Sequence, residues 1–187
     1  MTDMNWLVVA PEILLLGMAC LVALVDLFVT CPKRMPTYLL TLASLAAVAG
    51  LHIGALDSSV SAFAMQRMVV VDPMGHLLAL CATLAVMAAL VYAHTYAASR
   101  DMLKGELFSL SMMTLLGISI MIIGNNFLTI YLGLELMSLS LYALVALRRD
   151  HIGSTEAAMK YFVLGALASG FLLYGLSMMY GATGSLD

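Results

Sequence analysis

The sequence has 187 residues, of which 63% are hydrophobic and only 10% charged, and its mean hydropathy is +1.04. A water-soluble domain usually contains about 25% charged residues, so this composition excludes a soluble globular domain and predicts a membrane protein. The net charge of −3 gives no sign of a nucleic-acid partner, and we expect none.

Six segments are apolar and long enough to span a bilayer core of about 30 Å as helices. They run over residues 7–29, 37–56, 73–97, 107–124, 127–147 and 157–180. Asp72-Pro73 is a helix-start signal for the third segment, and Gly124-Asn125-Asn126 predicts a tight turn that makes the fourth and fifth antiparallel neighbours. We therefore predict an all-α polytopic membrane protein with a single membrane domain over residues 1–187.

The longest connection, residues 57–71, ends in the apolar run Met68-Val69-Val70-Val71. It is either a short extended segment or an interfacial one, and the sequence leaves both open. The cysteines Cys20, Cys31 and Cys81 lack the spacing of a metal or cluster site, so we expect no metal, haem or iron–sulfur group in this chain.

Basic residues are distributed unequally between the alternate connections. One side of the membrane holds Lys33, Arg34, Arg100, Lys104, Arg148 and Arg149. The other side holds Arg67. Because cytoplasmic loops carry an excess of Lys and Arg, the first, third and fifth connections are predicted to be cytoplasmic. Both termini are then periplasmic.

Glu135 is the only charged residue between Glu106 and Arg148. It lies about 20 Å from Arg148 along a helix, close to the middle of the bilayer. A charged side chain there costs roughly 2.5–3.5 kcal/mol on insertion scales, and such residues usually mark an ion or proton pathway. Glu135 is therefore the main functional candidate.

Tyr131, Ser138 and Tyr142 share one helical stripe with Glu135, at the spacing i, i+4, i+7, i+11. Their hydroxyl groups can hydrogen-bond a carboxylate, hold water and relay protons, so we treat them as support for a proton path. The alternative is that Glu135 pairs with a buried base and only fixes helix packing.

Lys160 is the second candidate, about one turn inside the sixth predicted helix. A lysine so near a helix end can extend to the interface, and its own stripe, with Leu164 and Leu167, is apolar. An interfacial anchor and a functional lysine both remain open. It is expected to be shallower than Glu135, so a direct ion pair is not assured.

Weaker features have structural interpretations. Small residues of the sixth segment, which include Gly165 and Ser169, indicate close helix packing. The hydroxyls of the fourth segment are expected to bond their own backbone. Three histidines near helix ends are expected to be interfacial: His52, His76 and His94.

Two stretches resemble subunit N of bacterial respiratory complex I. They are residues 133–146, which read GLELMSLSLYALVA, and residues 154–186, which begin STEAAMKYFVLGA. The related antiporter-like subunits usually have Trp before the glutamate, where this chain has Leu134. The resemblance is dense over the last three helices and covers only the layout of the first three.

The resemblance implies that Glu135 is the family's essential fifth-helix glutamate and that Lys160 matches a sixth-helix lysine that contributes to activity. Family members have about fourteen helices that include two inverted five-helix repeats, a common transporter plan. This chain would be the N-terminal part of such a subunit, at the start of the inverted-repeat bundle. The family's other path lysines lie beyond Asp187, so we expect no proton translocation by the chain alone.

The implied function is proton translocation coupled to quinone reduction in NADH:quinone oxidoreductase, in the bacterial inner membrane. NADH, FMN, iron–sulfur clusters and quinone (such as ubiquinone) would bind other subunits of the complex, and the partners would be its other membrane subunits and the lipid bilayer. The alternatives are a subunit of a related cation/proton antiporter, or a structural membrane anchor with no transport role.

Overall fold

The computed structural model describes residues 6–29, 34–56, 62–100 and 102–186. Within these residues, six helices are long and apolar enough to cross a membrane, which confirms the predicted all-α polytopic fold. They are α1 (Ala10–Phe28), α2 (Met35–Leu56), α3 (Pro73–Ala98), α4 (Glu106–Ile123), α5 (Phe127–Val145) and α6 (Ile152–Thr183). Cys31, Lys33 and residues 57–61, which entered the sequence predictions, lie outside the described residues.

Side-chain caps fix the starts of α3 and α5. The Asp72 carboxylate accepts a hydrogen bond from the backbone N–H of Gly75 at 2.7 Å, directly before Pro73. The Asn126 side chain accepts one from the backbone N–H of Leu128 at 2.9 Å. Each cap satisfies an N–H group that has no partner inside the helix, so both helices begin where the sequence predicts.

The sixth helix is longer than the sequence predicts. It begins at Ile152, not at 157, because the His151 ring accepts a hydrogen bond from the Ser154 N–H at 3.3 Å and caps the helix earlier. It ends at Thr183, directly before Gly184, whose φ of 71° lies in the left-handed region that glycine adopts without steric cost. The helix therefore has 32 residues, about 48 Å in length.

The first four helices share one apolar core, and α4 lies at its centre. It packs against α1, α3 and α5, while α6 contacts α5. The buried core residues are Leu15, Ala19, Val22, Leu45, Val48, Leu90, Phe108, Met112, Leu115 and Leu116. The chain is thus a four-helix core to which α5 and then α6 are added in sequence.

Two glycines bring the backbones of α4 and α5 into direct contact. A Cβ atom placed on Gly117 would lie 2.6 Å from the backbone nitrogen of Met137 and 2.7 Å from the carbonyl oxygen of Gly133. A Cβ atom placed on Gly133 would lie 2.8 Å from the Gly117 carbonyl oxygen. The expected antiparallel pairing of these helices is confirmed, and α5 is held against α4 by backbone contact.

The connection before α3 forms a β-hairpin, which the sequence did not decide. Strand β1 (Ala62–Ala64) pairs antiparallel with β2 (Val69–Val71), with Ala62 opposite Val71. The backbone N–H of Asn125 donates to the Met68 carbonyl at 3.0 Å, and its side-chain Nδ2 donates to the Arg67 carbonyl at 2.9 Å. The hairpin therefore covers the α4–α5 turn, and we call this side of the bundle the hairpin end.

Ion pairs join helix ends on the opposite side. The Arg34 guanidinium pairs with Asp26, and the Thr37 hydroxyl donates to the same carboxylate at 3.1 Å. The Nη2 atom of Arg149 lies 2.6 and 2.7 Å from the two carboxylate oxygens of Glu106. These contacts tie α1 to α2 and α4 to the α5–α6 connection, and we call this side the basic end.

Candidate functional site between α5 and α6

Glu135 lies in the middle of α5. It is about 12 Å from the first residue of the helix, Phe127, and about 15 Å from the last, Val145, at 1.5 Å per residue. Its side chain is half-buried and faces α6. A carboxylate at this depth is far from both helix ends, so its hydrogen-bond partners come from neighbouring helices and from its own stripe.

Two hydroxyl groups surround this carboxylate. The Ser169 hydroxyl, on α6, donates a hydrogen bond to Oε1 of Glu135. The phenol of Tyr131, one turn earlier on α5, interacts with both Glu135 and Ser169. The three side chains form a small polar cluster across the α5–α6 contact, with two groups that can donate to a carboxylate and exchange protons with it.

Tyr142 belongs to the predicted stripe but does not reach Glu135. Its ring packs edge-on against Tyr161, with centroids 4.9 Å apart, and against Phe162, at 5.6 Å. Its hydroxyl lies directly over Gly165, where a larger residue would collide with it. Tyr142 therefore closes the α5–α6 contact about 10 Å along the helix from Glu135.

Ser138 is half-buried on the stripe between Glu135 and Tyr142. Among the described residues no hydrogen bond joins Ser138 or Tyr142 to Glu135. Of the three supporting residues that the stripe predicts, the structure therefore brings only Tyr131 to the carboxylate.

Lys160 is separated from this cluster. Its ammonium group pairs with Glu156 at 2.6 Å, and its side chain is 70% exposed. It lies eight residues after Ile152, about two turns inside α6, because the helix begins earlier than predicted. Since Ser169 is the α6 residue level with Glu135, Lys160 is about 13 Å away along the helix axis, near the end of α5.

Ser169 is the cluster member that sequence reasoning assigned to helix packing only. The less exposed positions of α6 are Ser154, Ala158, Gly165, Ser169 and Leu176, spaced at four, seven, four and seven residues. This spacing defines one face of the helix, and Ser169 is the hydroxyl-bearing member in the middle of the helix. The small residues Gly165 and Ser169 mark this face in the sequence, and the register of α6 against α5 selects Ser169 as the partner of Glu135.

Other polar groups have local partners. The hydroxyls of Ser109, Ser111 and Thr114 donate to carbonyl oxygens of their own helix, at 3.3, 2.6 and 2.9 Å, as expected for the fourth segment. Within the described ranges, no group of three or more His, Cys, Asp or Glu side chains is placed to hold a metal ion.

Comparison with known proteins identifies a consistent set of relatives. Residues 124–187 match the family model described as NADH:quinone oxidoreductase/Mrp antiporter, TM. Over 185 residues the chain is 58% identical to NADH-quinone oxidoreductase subunit N of Polaromonas naphthalenivorans, covering 98% of the chain and 37% of that protein. It is 52% identical to the subunit N of Herminiimonas arsenicoxydans, covering 100% of the chain and 39% of that protein. The chain thus spans somewhat more than a third of the curated relatives it matches.

A solved structure shares the fold. It is a chain from the structure of the membrane-bound sulfane sulfur reductase (MBS), an archaeal respiratory membrane complex. The TM-score is 0.74 at 19% identity, over 97% of this chain and 38% of that chain. At this identity the likeness concerns the helical arrangement alone.

Proposed function

Since the chain belongs to the family of NADH-quinone oxidoreductase subunit N, of which it spans somewhat more than a third, we propose that it serves proton translocation in the membrane part of such a complex. Glu135 is the proposed coupling group, which takes up and releases a proton as quinone reduction proceeds in other subunits. The observation that carries this proposal is the mid-helix carboxylate held by two hydroxyl groups between α5 and α6.

The energetic cost of a charged side chain in the bilayer centre supports a functional role for Glu135. A leucine at this position would avoid the penalty of roughly 2.5–3.5 kcal/mol for a charged group in the bilayer centre. Ser169 and Tyr131 offset part of that penalty through hydrogen bonds, and both carry protons that can be exchanged. The family match over residues 124–187 includes this whole cluster.

Lys160 is the second residue that we propose for the proton path. Its ammonium group pairs with Glu156 on the exposed side of α6, so it is not the counter-ion of Glu135. It would act as a separate protonation step nearer the basic end. Tyr142 and Ser138 lie between the two levels, where water between their hydroxyls would connect them.

The orientation that we propose places the basic end in the cytoplasm of a bacterial cell, with the chain in the inner membrane. The described basic residues at that end are Arg34, Arg100, Lys104, Arg148 and Arg149. The hairpin end has Arg67. Under the rule that cytoplasmic loops are rich in Lys and Arg, both ends of the chain are then periplasmic. The proposed partners are the other membrane subunits of the complex and surrounding lipid.

The test is a Glu135→Gln substitution in the complete complex, with NADH oxidation and NADH-driven proton uptake measured in the same membranes. Gln retains the shape and can accept from Ser169, but it cannot be ionised. We expect the complex to assemble and both rates to collapse. Glu106→Gln is the matched control, because this glutamate is half exposed at the basic end.

If assembled complex with Glu135→Gln pumps at the normal rate, Glu135 is structural. The contact between Ser169 and Glu135 favours that second function in one respect, because it joins α5 to α6 and could serve only to lock them. A helix lock predicts lower complex yield and unchanged turnover per assembled complex.

A cation/proton antiporter, also named by the family description, predicts sodium dependence instead.

A further inference from the structure

Two histidines meet between α2 and α3 near the hairpin end. The Nδ1 atoms of His52 and His76 are 3.2 Å apart. His52 is four residues before the end of α2 and only 1% exposed, while His76 is in the first turn of α3 and half-buried. His52, for which an interfacial location was expected, faces the bundle interior near the end of α2.

The 3.2 Å distance between the two Nδ1 atoms limits which protonation states allow a hydrogen bond between the rings. Two imidazole nitrogens at 3.2 Å form a hydrogen bond only if one carries a hydrogen and the other offers a lone pair. The Nε2 atom of His52 is buried and has no hydrogen-bond partner among the described residues. Within those residues, the His52 ring therefore makes its polar contact through Nδ1, with His76. Once both rings are protonated, both facing nitrogens are donors and both rings are positive.

We propose that His52 and His76 form a second proton-binding site of the chain, which holds α2 to α3 while one of the facing nitrogens keeps its lone pair and releases them when both rings are protonated. The site is independent of Glu135, which lies on α5. Loss of the acceptor and repulsion between two cations act in the same direction, so acidification opens the contact.

The groups around the pair do not replace this hydrogen bond. Asp72, on the start of α3, acts electrostatically on His76, but one of its oxygens is engaged by the Gly75 N–H. Glu12 on α1 is level with His52, because α1 and α2 are antiparallel and Thr37 contacts Asp26. The remaining charged groups of the described neighbouring elements are Arg67 over Phe63 in the hairpin, Asp26 at the far end of α1, where it pairs with Arg34, and Glu106 at the far end of α4. Asp57 follows α2 outside the described residues.

The experiment places nitroxide labels at Ile53→Cys and Leu77→Cys, both exposed positions next to the pair, with Cys20, Cys31 and Cys81 replaced by Ala. The full-length protein is reconstituted in lipid bilayers, and dipolar broadening between the labels is recorded from pH 8 to pH 4. We expect the separation to lengthen reversibly by about 2 Å or more on acidification, the size of helix shifts at interfaces.

The matched variant is His76→Asn, because the Asn side chain places an amide near the position of Nδ1 and does not titrate in this range. Its label separation should stay constant from pH 8 to pH 4. His94→Asn is the control and should respond as the parent does, since His94 stacks on Tyr38, with centroids 4.4 Å apart, at the other end of α3.

Two results overturn the proposal. One is a parent separation that does not change with pH, and the other is an acid response that persists in His76→Asn, which would assign it to Glu12 or Asp72. If the cysteine-free protein does not fold, thermal unfolding of the native-cysteine protein gives the same comparison. The loss of melting temperature from pH 8 to pH 4 must then be smaller in His76→Asn than in the parent.

Discussion

Substitution of Gly117 by Ala tests whether backbone contact between α4 and α5 positions the carboxylate-bearing helix. The added Cβ would lie 2.6 Å from the Met137 nitrogen, 2.7 Å from the Gly133 oxygen and 2.9 Å from the Met137 Cβ. Ordinary van der Waals contact begins near 3.4 Å, so the nearest atom is about 0.8 Å too close. Two of these three atoms belong to the backbone and cannot rotate away, so α5 has to move.

The change that Gly117→Ala makes in the free energy of unfolding follows from two opposing effects. Overpacking of a tight contact costs typically about 1–3 kcal/mol, and the backbone partners favour the upper part of that range. Replacing Gly by Ala inside a helix returns about 0.5–1 kcal/mol through lower conformational entropy of the unfolded chain. We therefore expect Gly117→Ala to lower the free energy of unfolding by roughly 1–2 kcal/mol and to displace Glu135 relative to Ser169.

The assay is thermal unfolding of the purified full-length protein in detergent, followed by circular dichroism. Gly50→Ala is the matched control, since Gly50 lies inside α2 and a Cβ there meets no atom within 4 Å. It should unfold at the parent temperature or slightly above. Equal melting temperatures for Gly117→Ala and Gly50→Ala would refute the assignment of a backbone contact between α4 and α5.

Two further substitutions test single hydrogen bonds. Ser169→Ala removes the α6 donor to Glu135, and we expect the rate of NADH-driven proton uptake in assembled complex to fall about tenfold or more, because hydrogen bonds to charged groups contribute about 1.5–3 kcal/mol and about 1.4 kcal/mol is a tenfold change in rate. Ser177→Ala, whose hydroxyl donates to the Tyr174 carbonyl on the same helix at 2.7 Å, should leave the rate unchanged, and equal rates for the two would contradict the proposed role of Ser169. Asp72→Ala removes the cap of α3 and should lower thermal stability by about 1 kcal/mol, whereas Asp150→Ala, in the α5–α6 connection, should not.

The helices were predictable because hydropathy and caps are local properties of the sequence. The bounds of α1 to α5 differ from the predicted ones by no more than three residues. The start of α6 was missed because residues 152–156 have the polar composition that is typical of a loop. His151 caps them and Glu156 pairs with Lys160, two contacts that extend the helix past the apolar segment.

Contacts between distant segments could not be predicted from one sequence. The hairpin strands have three residues each, and their place depends on the Asn125 contacts with the turn between them. The Glu135 stripe indicated a polar face but not its partner, because the register of α6 against α5 decides which hydroxyl reaches the carboxylate. The His52–His76 pair depends in the same way on the register of α3 against α2.

The two sides of α5 differ in the kind of contact they make, and this bears on how Glu135 would work. Toward α4 the tightest part of the contact is glycine backbone against backbone, which side-chain rotation cannot change. Toward α6 it consists of hydrogen bonds to Glu135 and aromatic contacts of Tyr142, all made by side chains that can rotate. Protonation of Glu135 would weaken its charge-assisted bond from Ser169 and leave the α4 contact untouched. A change in the charge of Glu135 is therefore expected to alter the position of α6 against a fixed α4–α5 pair.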